Sequence, residues 1–299
     1  MPREVNPKKT TGASKEEGRM SQEGSPGLNK RRQQRQEQNT DQHDNLFQTT
    51  FGHEMSSKDE EVIRIATLNL RTFPLNQRDR CKSDALRHEL MQSDADVLGL
   101  TETNYNWTQM ESKEQLHHQT RGWWKNKHIQ KAWMRTEQLN KNQTGGTATI
   151  VTGDTTSYKT QGGEDLKKMG RWSWVTLSDP KEDIHTTIIT LYQPCHNRGT
   201  MSTYTQQLET IRQEQPTSQL GVFQHYIRDL DRLLTEKKEQ HHQLIVMGDF
   251  NEDTRDKKRL VQLLEKHQLY NPILQKYGKT TTTYMYGGHH WTPSTSQTP

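Results

Sequence analysis

Four oxygen-bearing side chains in this sequence share one kind of address. Asn69 closes the β-branched, alternating run VIRIATLNL (62–70), and Glu102 closes the apolar run DVLGLTE (96–102). Asp249 ends LIVMGD (244–249), and Asn251 stands two residues beyond it. Polar groups just past buried strands are where α/β folds build sites, because the strands hold them rigidly while the loops stay open. Two carboxylates and two amides brought together there form an anionic pocket rich in oxygen. Such a pocket suits a hard cation such as Mg²⁺ or Mn²⁺, bound through one or two carboxylates with water and phosphate oxygens filling the rest. Taken singly, each residue has a plainer reading. Glu102 can be a solvated strand end or a cap, and Gly248-Asp249-Phe250-Asn251 can be a turn built from turn formers. The set, at one kind of position three times over, points to a site.

Other elements must position these groups. The runs TATIVT (147–152), RWSWVTL (171–177) and HTTIITLY (185–192) read as further strands. Apolar spacing predicts helices over Arg78 to Ser93, about Leu220 to Gln240, and Lys257 to Gln268. Strands and helices in this order suggest one α/β sandwich with sheets inside and helices outside.

Composition limits what else the chain can be. Of 299 residues only 28% are apolar, and 41 basic residues stand against 37 acidic, for a net charge of +4. Residues 1 to about 60 hold nine apolar residues, too few to offset an ordering entropy of roughly 1–2 kcal/mol per residue. They are expected to be a disordered tail, 1–60, ahead of a folded domain over 61–299. No apolar run approaches the roughly 18 residues of a membrane span, and MPREVNPKKTTG lacks the apolar stretch of a secretory signal. Cys81 and Cys195 cannot build a disulfide framework and read as reduced thiols of an intracellular protein. The cluster Lys30-Arg31-Arg32-Gln33-Gln34-Arg35 is either a solvated charge run or a nuclear import or nucleic-acid signal.

The boxes ATLNL (66–70), LTET (100–103), LYQP (191–194) and MGDFNED (247–253) resemble, in order and rough spacing, the endonuclease/exonuclease/phosphatase superfamily with the DNase I-like fold. The resemblance runs from about Val62 to the C-terminus. It looks closest to the endonuclease domains of non-LTR, LINE-like retrotransposons, which GGTATIV (145–151) and GRWSWV (170–175) also resemble. It implies a four-layered α/β sandwich of two mainly antiparallel sheets flanked by helices. It implies a Mg²⁺ or Mn²⁺ ion held by Glu102 as principal ligand with Asn69 and Asp249. Asn69 would also orient the phosphate, and Tyr192 would hydrogen-bond it. Asp249 would orient or deprotonate the attacking water, and Asn251 would steady the transition state. The reaction implied is in-line displacement at phosphorus.

Departures from the pattern matter too. Arg71 stands where apurinic-site members often carry Asp, and Cys195 where they tend to carry Asn. Both argue against abasic-site repair. The family closes with an Asp-bearing strand and a Ser-Asp-His box, and neither follows Thr283-Tyr284 before Pro299. The chain is therefore expected to be a C-terminally incomplete copy lacking the last strands of its second sheet. His289-His290 resembles the pairs His117-His118 and His241-His242, which read as solvated surface pairs.

The ribbon TRGWWKNKHIQKAWMR (120–135) interleaves tryptophans with cations, and residues 120–141 hold six Lys or Arg against one Glu. Arg121, Lys125 and Lys127 could contact phosphates, and Trp123 and Trp124 could stack on bases. Tryptophans can equally be core anchors. Three functions stay open: a metal-dependent nuclease that nicks DNA, a relative cleaving RNA or another phosphoester, and an inactive remnant that only binds nucleic acid. Nucleic acid, DNA first, is the expected partner, a membrane is not, and a nuclear location would follow.

Overall fold

Two four-stranded sheets packed face to face carry the site in the computed structural model, which describes residues 58–59, 61–135, 141–179, 181–197, 199–252 and 259–278. The first sheet contains β1 (Ile65–Asn69), β2 (Val97–Thr101), β3 (Lys127–Ala132) and β4 (Thr147–Thr152), in the order β1-β2-β4-β3. The second contains β5 (Lys159–Glu164), β6 (Trp172–Asp179), β7 (Ile184–Tyr192) and β8 (Gln243–Asp249), in that order. Each sheet has one parallel pair, β1 with β2 and β7 with β8, and is otherwise antiparallel. Parallel neighbours need long crossovers. α1 (Arg80–Gln92) supplies the first, and α3 (Thr203–Glu214) with α4 (Val222–Glu239) the second. α2 (Leu116–Gln119), α5 (Arg259–Lys266) and α6 (Pro272–Tyr277) complete the helices among the described residues. None of them is long and apolar enough to cross a membrane.

This is the expected four-layered sandwich, with adjustments. β1 is shorter than the run 62–70, and the helices expected over 78–93 and 220–240 lose one or two residues at each end. α1 begins where the Asp79 carboxylate caps the Lys82 N–H at 3.1 Å. β3, β5 and α3 have no counterpart in the sequence expectation. Most of the expected tail lies outside the described residues, as do the Lys30–Arg35 cluster and the stretch holding His289-His290. Lys58, inside that expected tail, is ion-paired to Asp96 at 2.6 Å.

Alternation divides each strand between two packing layers. Leu98, Leu100, Ala148 and Ile150 face outward onto Phe73, Leu90, Leu116 and Trp123. Trp172, Ile189 and Leu191 face outward onto Tyr226, Leu230, Leu234 and Leu260. Between the sheets, Val97, Val151, Val175, Ile188 and Met247 supply the apolar part. Hydroxyls fill the rest. Thr149 meets Thr190 at 2.8 Å and Ser173 at 2.9 Å, and Thr176 meets Thr187 at 2.8 Å, all buried. Threonines that satisfy one another explain how so polar a chain builds a closed interior.

A buried charge cluster lies behind the site. Arg171, 1% exposed, reaches Asp165 at 2.5 and 2.6 Å and Asp229 at 2.9 Å, tying the start of β6 to α4. Its backbone carbonyl accepts the Tyr192 N–H at 2.8 Å. Removing the guanidinium takes the buried Asp165 carboxylate's ion-pair partner away and leaves Asp229 with Arg228 alone. We expect Arg171→Ala to lose about 3–5 kcal/mol in urea denaturation; an unchanged midpoint would contradict this role. Burial pulls the Asp229 carboxyl upward, but Arg171 and then Arg228 outweigh it and hold it below the usual carboxylate range. Its folded-state value therefore lies below the unfolded one. The stabilisation is present above about pH 4 and is lost as pH falls through the folded value.

Candidate active site

The two parallel pairs end at the same place. Register sets Asn69 beside Thr101 in one sheet and Tyr192 beside Asp249 in the other, so residues leaving all four strands converge at one rim of the sandwich. Two glycines make the approach possible. A Cβ on Gly99 would stand 2.7 Å from the Met247 methyl, and one on Gly248, at φ +129°, only 2.0 Å from the Leu191 carbonyl oxygen.

Asn69 is the junction. Its Nδ2 donates to Glu102 Oε1 at 3.0 Å and to Asp249 Oδ2 at 2.6 Å, while its Oδ1 accepts the Arg71 N–H at 3.0 Å. One amide from β1 thus joins a carboxylate from each sheet. Asp249 Oδ1 also accepts the Asn251 N–H at 3.1 Å. Asn251 donates its own Nδ2 to the Gln193 carbonyl at 2.7 Å and accepts the Cys195 thiol at 3.0 Å. Tyr192 lies beneath, 7% exposed.

No lysine or arginine pairs with Glu102 or Asp249 among the described residues. The charge of these carboxylates is felt nearby. Burial, then the Glu102 charge, pushes the Tyr192 phenol well above its ordinary value, against a Thr203 hydrogen bond that lowers it. Burial, then Asp249 and Glu102, pushes the Cys195 thiol up. Such a potential holds protons on its neighbours and attracts cations.

The backbone here is unusual. Arg71, Glu102, Asn104 and Asn251 all have positive φ, between 46° and 58°, at a cost of order 1–3 kcal/mol each. Asn104, which the sequence did not mark, holds the bend: its Nδ2 donates to the Arg71 carbonyl at 2.7 Å and its Oδ1 accepts the Gly145 N–H at 2.6 Å. Asn is enriched in left-handed backbone, but a single Asn two residues past a strand carries little signal.

The donor set fits a hard divalent cation: two carboxylates from the ends of two strands, without a Lys or Arg partner among the described residues, with Asn69 donating to both and its oxygen turned to Arg71. Glu102 and Asp249 would be the oxygen donors to such an ion, with Asn69 holding both in place. No group of three His, Cys, Asp or Glu side chains placed to hold a metal occurs among the described residues, and two carboxylates suffice for Mg²⁺.

The ribbon residues lie elsewhere. Lys127 opens β3 opposite Thr152, whereas Thr147 at the other end of β4 pairs with Thr101; five residues of strand, about 17 Å, lie between. Trp123, 5% exposed, stacks on Phe73 in the core, so it cannot receive a base, and Trp124 packs beside it. Arg121 and Lys125 are exposed, and the Lys127 ammonium is turned to the Thr120 carbonyl. At the end of β3 nearer the carboxylates, Lys131 lies over Trp107 and Trp133, and burial lowers its ammonium to about 8. Among the histidine pairs, the His117 and His118 rings contact each other, and His242 bonds Thr187 at 2.8 Å.

The fold and this rim define a class of α/β-sandwich phosphoester hydrolases. The chain belongs to the Endonuclease/Exonuclease/phosphatase family, whose model matches residues 66–298. Members of the family hydrolyse phosphoester bonds and are generally dependent on a divalent metal. Among solved structures, the AP endonuclease LMAP from Leishmania major is similar at 17% identity and TM-score 0.52, over 77% of this chain and 75% of that one. The human Nocturnin catalytic domain with bound sulfate is similar at 15% identity and TM-score 0.47, over 74% and 76%. The mannosyl-6-phosphatase from Bacteroides thetaiotaomicron is similar at 12% and TM-score 0.41, over 69% and 71%. No curated protein sequence matches the chain.

Proposed function

We propose that this chain is a metal-dependent phosphodiesterase that nicks DNA, derived from the endonuclease domain of a retroelement. The observation that carries the reading is the meeting of Glu102 and Asp249, one from each sheet, on the single amide of Asn69 without a cationic partner among the described residues. A Mg²⁺ or Mn²⁺ ion held by Glu102 and Asp249 would supply neutralisation of the charge that develops around phosphorus. Asp249 would orient a water for in-line attack and accept its proton. Tyr192 keeps its phenolic proton across physiological pH and acts as a neutral hydrogen-bonding group toward a phosphate oxygen. Asn251 has one Nδ2 proton left for the same use, and Asn69 keeps both carboxylates in place.

DNA as substrate, and with it a nuclear location, rests on the likeness of the sequence boxes and of GGTATIV and GRWSWV to LINE-like endonucleases. The exposed cations Arg121 and Lys125 suit a polyanion. One observation favours a second reading, a nucleic-acid binder without turnover: no histidine hydrogen-bonds to Asn69, Glu102, Asp249 or Asn251 among the described residues. Incubation with supercoiled plasmid separates the two. We expect relaxed circles with Mg²⁺ and none with EDTA. Plasmid retained in a gel shift but never nicked would support the binder, and cleavage confined to RNA would move the substrate.

A further inference from the structure

The turn that carries Asp249 and Asn251 is held by the segment that leaves β7. Gln193 makes three hydrogen bonds to it. Its N–H donates to the Asp249 carbonyl at 3.0 Å, its carbonyl accepts Asn251 Nδ2 at 2.7 Å, and its Nε2 donates to Glu252 Oε1 at 3.0 Å. Two residues on, the Cys195 thiol donates to Asn251 Oδ1 at 3.0 Å. Gln193 is 3% exposed, so water cannot readily replace these bonds. Asn251 has φ +46°, a conformation that needs such restraint to persist.

We propose that Gln193 and Cys195 are positioning residues: they clamp the 249–252 turn across β7 and β8 and select which way the Asn251 amide faces. An asparagine amide is nearly the same shape when flipped, so its partners decide its orientation. The Gln193 carbonyl can only accept, so it takes a proton of Nδ2. The thiol donates, so it takes Oδ1. A flip would set the Asn251 oxygen against the Gln193 carbonyl oxygen and trade the S–H···O bond for a weak N–H···S contact. An ordinary thiol is mainly protonated at neutral pH, so it is available as a donor. The result is one Nδ2 proton directed away from both partners, free for a ligand.

The kinetic consequence rests on the phosphodiesterase reading, but the clamp itself does not. Cys195→Ala removes the donor, Cys195→Ser keeps one, and Gln193→Met removes the bond to Glu252 while leaving the backbone bonds. With supercoiled plasmid and Mg²⁺, kcat should fall roughly fivefold for Cys195→Ala and about tenfold or more for Gln193→Met. KM should hold, and Cys195→Ser should stay within about twofold of wild type in kcat. In ¹⁵N–¹H spectra of the full chain, the Asn251 side-chain amide pair, identified by its loss in Asn251→Asp, should shift in the Ala and Met variants and not in the Ser variant. Resonances unmoved in both the Ala and Met variants would overturn the clamp. If Gln193→Met does not fold, the two Cys195 variants decide alone. A wild type that cleaves no phosphodiester would sink the phosphodiesterase reading, while the amide resonances would still decide the clamp.

Discussion

Asp249→Ala should lose about 10²–10⁴-fold in the rate of phosphodiester cleavage while the protein stays folded. Asp249 accepts Asn69 through one oxygen and the Asn251 N–H through the other. The substitution therefore removes the candidate base and frees the side chain that holds Glu102. The carboxylate is only partly buried, so the cost in stability should be about 1–2 kcal/mol, the scale of two modest hydrogen bonds. Circular dichroism melts beside plasmid nicking measure both quantities. An active Asp249→Ala protein would remove this residue from the chemistry. A protein that failed to fold would assign it to structure instead.

Gly248→Ala should act in the opposite proportion, with stability suffering first. The residue pairs with Leu191 in the β7–β8 ladder, and a methyl there would stand 2.0 Å from the Leu191 carbonyl oxygen and 2.8 Å from its nitrogen. Neither atom belongs to a flexible side chain. At φ +129° the backbone also disfavours any L side chain. Strain and overpacking together should cost about 3–5 kcal/mol. The relief open to the chain is for β8 to lift from β7, which draws Asp249 away from Asn69. Urea denaturation should show a lower midpoint, and activity should fall even in the fraction that remains folded. A midpoint equal to wild type would mean that the two strands are not held this closely.

The parts of the fold legible in the sequence are those where apolar runs are continuous. VLGL is buried between β1 and β4, whereas LIVMG, expected to be buried, forms a half-exposed edge strand paired only with β7 among the described residues; a polar residue at the end of each marks a position worth inspecting. β5 reads KTQGGE and was invisible, because it is an edge strand with glycines where the neighbouring strand needs room. A Cβ on Gly163 would strike the Trp174 ring at 2.6 Å. Low hydropathy was misleading in the same way: Thr147, Thr149, Thr176, Thr187 and Thr190 are interior residues that bond to one another or to Ser173. In the ribbon, alternation of tryptophan and cation suggested a stacking surface, yet burial assigns Trp123 to the core.

The candidate site was legible in its side chains and opaque in its backbone. Asn69, Glu102, Tyr192, Asp249 and Asn251 all lie at the rim where the four parallel strands end. That Glu102 and Asn251 bend through left-handed backbone could not be read, since neither is glycine and the energy that holds them comes from distant partners. Asn104 and Gln193 supply much of that energy, and they meet it only after folding.

The most direct test of the account is a double-mutant cycle on plasmid nicking with Mg²⁺, comparing Glu102→Gln, Asp249→Asn and the two combined. If both carboxylates serve one site through the Asn69 junction, the double variant should be no slower than the slower single variant, because groups acting as a unit are not additive. Losses that multiply, with the double variant slower by the product of the two single effects, would mean that the carboxylates act independently. That result would contradict the single site on which the proposed function depends.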